Sequence, residues 1–299
     1  MKMVTFTYND YFAQVGWIKD NHIYSIHECS HGKLPDNMLD FLKNAEANVQ
    51  EVKLLMEQDC EAVCEVDEAE LLAPLPNPPS FRDFMAFEEH ILNASKQSNI
   101  EMHPNWYKLP AFYFSNHQAI KGPNEEIAIP PNCERFDFEL EIAVIIGKEG
   151  TNIKAEDVDD YIFGYTILND WSARDLQLEE MTISLGPAKG KDGATSIGPY
   201  IATKDELQDR KLNGRYDLKM TAKVNGEQVS EGNFKDIYHT FGDMIERASS
   251  GVTLYPGDML GSGTVGTGCL LELGLPWLKS GDVVEFEIER LGVLKNTVK

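Results

Sequence analysis

Residues 71–80 read Leu-Leu-Ala-Pro-Leu-Pro-Asn-Pro-Pro-Ser, and four prolines in ten residues constrain this chain more than any other stretch of it. Proline fixes φ and donates no backbone hydrogen bond, so the segment can be neither helix nor central strand. It reads as an extended linker, which predicts a small N-terminal α/β domain, 1–72, and a larger domain, 73–299. Ahead of the prolines, VTFTY, AQVGWI and IYSIH look like short strands around the turn Lys19-Asp20-Asn21. Met38, Phe41, Leu42, Val49, Val52 and Leu55 then recur at helical steps, which predicts one helix from Asp36, its cap, to about Gln58. Beyond the prolines strand patterns dominate. They include FYFS, DFELEIAVIIG, YIFGYTIL, DLKMTAKVN, MLGSG, VVEFEIERLGVL and the run Leu270-Leu-Glu272-Leu-Gly. Asn225-Gly226 marks a hairpin, and helical patterns are confined to about 83–98, 172–181 and 239–249. The expected class is mainly β (α+β), with peripheral helices.

Charge narrows the function. The chain carries 27 Lys+Arg against 49 Asp+Glu, a net −22. That is no footprint for nucleic acid or for an anionic membrane surface. No run of eighteen apolar residues is present, and the first residues alternate instead of forming an apolar signal block. Cysteines 29, 60, 64, 133 and 269 make an odd set without a paired framework, which predicts reduced thiols in a cytoplasmic protein. An anionic substrate would therefore need a local basic pocket or a bound cation.

Three segments carry residues fit for a cation. In Phe-Asp-Phe-Glu139-Leu-Glu141-Ile, residues two apart share one face of a strand, so both glutamates project together from an otherwise apolar run. Like charges crowded there are costly unless a cation joins them. Taken alone, a half-exposed strand with one acidic face is the plainer account of the pattern. Next, the apolar YIFGYTIL runs straight into Asn169-Asp170-Trp-Ser-Ala-Arg174-Asp-Leu-Gln177. Asp170 offers an oxygen ligand, and Arg174 and Gln177 can share a helical face. An ordinary surface ion pair is the plainer alternative. Third, Asp83 and His90 stand seven residues apart, which on one helix puts them on a common face two turns apart. Oxygen-only ligands favour Mg2+, Mn2+ or Ca2+ over zinc. The loop Gly186-Pro-Ala-Lys189-Gly190-Lys191-Asp192 has the wrong spacing for a phosphate loop and reads as an anion-recognising loop. The glycine-rich run 254–268 lets backbone approach a ligand closely. Glu272, in an apolar run, needs a partner when buried, and His90 suits it.

Taken together, these ordered segments resemble the fumarylacetoacetate hydrolase family over most of residues 72–299. The family's metal pattern is an Asp, a Glu-x-Glu and the Asp of an Asn-Asp-Trp-Ser-Ala-Arg-Asp-x-Gln motif, matched here by Asp83, Glu139, Glu141 and Asp170. Its Gly-Lys loop matches Gly190-Lys191 with Thr195 four residues on. Its Pro-Gly-Asp…Gly-Thr segment matches Pro256-Gly257-Asp258…Gly263-Thr264. The resemblance implies the family fold, a mixed β-sandwich roll with peripheral helices, in a homodimer that uses Mg2+ or Mn2+. It further implies His90 as a base oriented by Glu272, with Lys191 assisting, and Tyr113, Arg174, Gln177 and Thr264 as substrate-binding residues. The implied reaction is hydrolysis of a C–C bond in a small anionic dicarbonyl acid of the fumarylacetoacetate or acylpyruvate type, through water activated by His90. Oxaloacetate decarboxylation is the alternative, followed by isomerase or hydratase chemistry on 2-oxo acids. A metal-stabilised, non-catalytic binding protein is the alternative of another class. The shorter chain, and a shorter loop between Thr264 and Glu272, leave the substrate open.

Overall fold

The computed structural model describes residues 1–9, 12–98 and 102–299. β1 (Lys2–Thr7), β2 (Gln14–Lys19) and β3 (His22–Ser25) form an antiparallel meander. After one helical turn at Ile26–Cys29, two helices, α1 (Met38–Leu42) and α2 (Ala45–Leu55), stand in place of the single predicted helix. The chain leaves helical geometry at Asn44, with φ −129° and ψ 44°. Asn37, not Asp36, caps α1, its side chain accepting from the Asp40 amide at 2.9 Å. Asparagine suits the cap at position 37 because its short amide competes for nearby backbone groups.

After the prolines come β4 (Phe81–Phe84), α3 (Glu88–Ser98) and β5 (Phe112–Phe114). The helix expected over 83–98 thus begins five residues late. Four consecutive buried residues, Phe81 to Phe84, are paired on both edges, and that pairing overrides the local helical pattern. Asp83 therefore sits on a strand and His90 on a helix. They share no helical face, and it is the tertiary fold that places each of them near Glu139.

The remaining elements are β6 (Leu140–Ile146), β7 (Ile162–Asp170), α4 (Arg174–Met181), β8 (Thr195–Thr203), β9 (Lys219–Val224), β10 (Glu227–Asn233) and α5 (Phe241–Ser249). They end with β11 (Met259–Gly261), α6 (Leu270–Leu273), β12 (Val283–Ile288) and β13 (Gly292–Val298). The run around Glu272 is a correction: it is a single helical turn, not a strand. Asp137 accepts from the amides of Leu270 and Leu271 at its start, and Gly274, in the left-handed region at φ 63°, stops it.

A twelve-stranded sheet runs β3-β2-β1-β8-β7-β6-β11-β4-β5, with three two-residue strands at its margins. It draws strands from both sides of the proline segment, β1 pairing with β8 through Lys2 to Ala202 and Met3 to Ile201. A second sheet orders β10-β9-β12-β13, with Glu126–Ile127 at its edge, and Asn225-Gly226 turns β9 into β10. The main sheet is covered on both faces. Leu140, Ile142, Val144 and Ile146 of β6 join a core with Phe286, Ile288 and Leu294 of the second sheet. Ala143 and Ile145 face a core with Met38, Phe41, Val52 and Leu55 of the N-terminal helices. Coverage of both faces explains why β6 and β7 are buried along their whole length.

That alternation places the chemistry. Phe81 of β4, Leu168 of β7 and Met259 of β11 all face the helical core. Two residues further on, Asp83, Asp170 and Gly261 share that face, as does Glu141, two residues before Ala143. No helix among the described residues is long and apolar enough to cross a membrane.

Candidate metal centre and active site

Three strand ends thus deliver carboxylates to one face, and Glu139, just ahead of β6, supplies a fourth. One ligand oxygen from each of Asp83, Glu139, Glu141 and Asp170 lies within 4.8 Å of every other, and all four residues are buried. Space for this convergence comes from β11, which lies between β4 and β6. Gly261 pairs with Asp83, and a Cβ added there would meet Asp83 Oδ1 at 2.2 Å and Glu141 Oε2 at 3.2 Å. Next to it, the Gly263 amide donates to Glu141 Oε2 at 2.9 Å and Thr264 Oγ1 to Oε1 at 3.4 Å. Gly263 has φ 74°, and a side chain there would strike the Phe84 carbonyl.

Two buried cations share the cluster. Lys191 Nζ donates to Glu139 Oε2 at 2.5 Å and to Asp170 Oδ2 at 2.7 Å. Arg174 reaches Glu139 Oε1 at 2.8 Å and Asp137 Oδ2 at 2.8 Å, and donates to Gln177 Oε1 at 3.0 Å. The Tyr113 hydroxyl donates to Asp170 and, at 3.3 Å, to Asp83. Of the residues named from sequence as substrate-binding, Tyr113, Arg174 and Thr264 meet the carboxylates and Gln177 meets Arg174, while Lys191, named as assisting His90, also turns its ammonium to them.

Burial sets the protonation pattern. It pushes Asp83 and Glu141 well above the usual carboxylate range, and the neighbouring carboxylates push them further. Asp170 is raised by burial against the pull of Lys191. For Glu139 burial also acts upward, but Lys191 and Arg174 together outweigh it and hold the group low. Asp83 Oδ1 and Asp170 Oδ1 are buried with no hydrogen-bond partner among the described residues. Four clustered carboxylates, two orphaned oxygens and an all-oxygen donor set fit a hard divalent cation such as Mg2+ or Mn2+.

Beside the cluster stands a buried pair. His90 Nδ1 lies 2.7 Å from Glu272 Oε1, while Glu272 Oε2 accepts from the Thr267 amide at 2.8 Å and from Asn93 Nδ2 at 3.2 Å. His90 is close enough to Glu139 to help lower it. Two chain regions far apart in sequence, α3 and α6, pack together to make this pair.

Residues 80–299 match the family described as fumarylacetoacetate (FAA) hydrolase C-terminal. The chain belongs to that family. Human mitochondrial oxaloacetate tautomerase FAHD2A is 33% identical over 266 residues, which cover 89% of this chain and 80% of the relative. Oxaloacetate tautomerase YisK of Bacillus subtilis is 32% identical over 238 residues, 78% of this chain and 74% of the relative. The solved structure of a fumarylacetoacetate hydrolase from Exiguobacterium antarcticum aligns with a TM-score of 0.78 at 26% identity, over 100% of this chain and 99% of that one.

Against this family frame, sequence reasoning missed Asp137, Asn93 and Thr267. Asp137 is fully buried and accepts from Arg174 and from the Leu270 and Leu271 amides, so one carboxylate joins the helical turn bearing Glu272 to the cation on Glu139. Its signal was visible as an aspartate between Phe136 and Phe138. Asn93 and Thr267 had none, because each meets Glu272 only once α3 and α6 are packed.

Proposed function

We propose that this protein is a divalent-metal-dependent enzyme that moves a proton on a small anionic dicarbonyl acid. Interconversion of the keto and enol forms of an oxaloacetate-type substrate is its main reaction. The observation that carries the proposal is the buried His90–Glu272 pair beside a four-carboxylate metal cluster. A bound Mg2+ or Mn2+ supplies Lewis-acid stabilisation of negative charge on the substrate's oxygens.

The protein's own groups do the rest. Glu272 accepts the Nδ1 proton of His90, which fixes the neutral tautomer and leaves Nε2 as the base. That nitrogen takes the proton from the carbon flanked by the two carbonyl groups and passes it to the ketone oxygen to give the enol, and the reverse transfer regenerates the ketone. Arg174 and Lys191 offset the charge that develops and attract the substrate carboxylate. The named activity of the human and Bacillus relatives supports oxaloacetate as the substrate class.

The second reading is hydrolysis of a C–C bond, in which His90 Nε2 takes its proton from water that attacks the distal carbonyl. The likeness to the Exiguobacterium hydrolase and the presence of the dyad support it. Decarboxylation of oxaloacetate needs no base and would persist without His90.

The test is an assay of purified protein with Mg2+ or Mn2+ on enol-oxaloacetate, acylpyruvates and fumarylacetoacetate, with wild type beside His90→Gln. Enol decay faster than the metal-only rate is expected in wild type, and a loss of about 100-fold or more in the variant with Mg2+ affinity kept. Equal tautomerisation by both proteins would reject the assignment. Cleavage of acylpyruvate without tautomerisation would select the second reading.

A further inference from the structure

His90 and Glu272 have a third buried neighbour. Cys269 stands immediately before α6, and its Sγ lies 3.5 Å from Glu272 Oε1, the oxygen that also meets His90 Nδ1 at 2.7 Å. Ligand atoms of the three residues all lie within 4.8 Å of one another. Because Thr267 and Asn93 hold Oε2, the carboxylate is fixed with Oε1 turned toward imidazole and thiol. Nitrogen, sulfur and oxygen together are a donor set for zinc-like ions, chemically unlike the all-oxygen cluster next door.

We propose that His90, Cys269 and Glu272 form a second metal site that takes a thiophilic divalent ion such as Zn2+, and that filling it silences proton transfer at His90. Only the silencing rests on the function proposed above; the binding stands on the three side chains alone.

The exchange balances without oxidation or reduction. Cys269 releases its thiol proton to solvent, the imidazole proton moves from Nδ1 to Nε2, and Nδ1, Sγ and Oε1 each give a lone pair to the ion. Once Nε2 carries that proton it can no longer act as a base. Burial, with Asp137 nearby, holds the free thiol neutral, so the ion has to displace a proton. Bonds of about 2.0–2.3 Å in a tetrahedral site need ligand atoms about 3.3–3.7 Å apart. The sulfur–oxygen spacing already fits, and the nitrogen–oxygen spacing must open by roughly half an ångström. Cys269 and the Glu272 side chain are fully buried, whereas the His90 side chain keeps 10% exposure, so an ion and a water as fourth ligand would enter past the imidazole.

The test uses Mg2+-saturated protein so that the carboxylate cluster is filled. Co2+ is added as a spectroscopic probe, and Zn2+ is titrated by calorimetry, with wild type, Cys269→Ser and His90→Gln compared. A thiolate-to-cobalt charge-transfer band is expected in wild type and absent from Cys269→Ser. Cobalt on the other four thiols is common to both proteins and cancels in the difference. Zn2+ affinity should fall in both variants by at least the 10–100-fold that loss of an outer-shell partner costs. Mg2+ binding serves as the check that each variant is folded, and if Cys269→Ser fails it, His90→Gln decides. An unchanged band in Cys269→Ser, or unchanged Zn2+ affinity in a folded variant, overturns the site. Full turnover of Co2+-loaded wild type that shows the band overturns the silencing. Absence of all turnover with Mg2+ alone overturns the proposed function, and the band still decides the site.

Discussion

Asp83 and Glu141 are raised above the ordinary carboxylate range, by burial first and then by a neighbouring carboxylate, Asp170 for Asp83 and Asp83 for Glu141. A group raised in the folded state contributes stability that is complete below its unfolded value, about 4, and is lost as pH climbs through the folded value. Metal-free protein should therefore lose stability upward from that value, while Mg2+ makes the ionised form the favourable one. The expected outcome is a gap in Tm between Mg2+-loaded and metal-free protein that widens from mildly acidic to mildly basic pH. At a hundredfold excess over Kd the ion contributes about 2.7 kcal/mol. Thermal unfolding at several pH values with and without Mg2+ measures it, and a gap independent of pH would count against the cluster as the binding site. The four carboxylates of the cluster were legible in the sequence through the order of their motifs, since each segment alone also reads as an acidic strand or a surface ion pair. Asp137 lies in one of those segments, but an aspartate beside a Glu-x-Glu reads as one more member of an acidic stretch until Arg174 is seen against it.

Elements were read less well than residues, and for one physical reason. Phe81–Phe84 and Leu270–Leu273 are short apolar runs, and four residues cannot distinguish a period of 2 from one of 3.6. Partners decided both cases: β11 and β5 made the first a strand, and Asp137 made the second a helical turn. Longer patterns, such as β6, β7 and the Asn225-Gly226 hairpin, fell where their periodicity put them. The role of Asp137 can be tested at this scale. Asp137→Asn replaces an acceptor for four donors, Arg174 and the amides of Phe138, Leu270 and Leu271, by a side chain with one acceptor. Breaking a buried charged pair costs about 3–5 kcal/mol, and Glu139 remains to hold Arg174, so the lower end of that range is expected. Urea unfolding should show that loss, and turnover should fall through kcat as α6 and Glu272 loosen. A variant as stable and active as wild type would remove Asp137 from the account.

Across the whole molecule the proline segment separates two stretches of sequence, while the main sheet takes strands from both. A single chain read in one dimension gives no sign of β1 meeting β8, since nothing local to either strand specifies the other. The net charge of −22 acts at this scale too. It would repel the anionic substrate proposed above until that substrate reached Arg174, Lys191 and a bound ion, and salt screens repulsion over a Debye length of about 10 Å at 0.1 M. With saturating Mg2+, kcat/KM for an anionic substrate should rise as ionic strength goes from low to physiological, and a fall would mean that local cations dominate its approach. The position of β11 carries a consequence for how the chain folds. Asp83 and Glu141 become neighbours only after β11, from far downstream, has been laid between β4 and β6, so a partly assembled molecule has no place for the ion. The metal then recognises only the finished sheet. Mg2+ should slow unfolding while leaving the refolding rate nearly unchanged, as expected for contacts absent from the transition state, and stopped-flow traces in both directions would reveal the asymmetry.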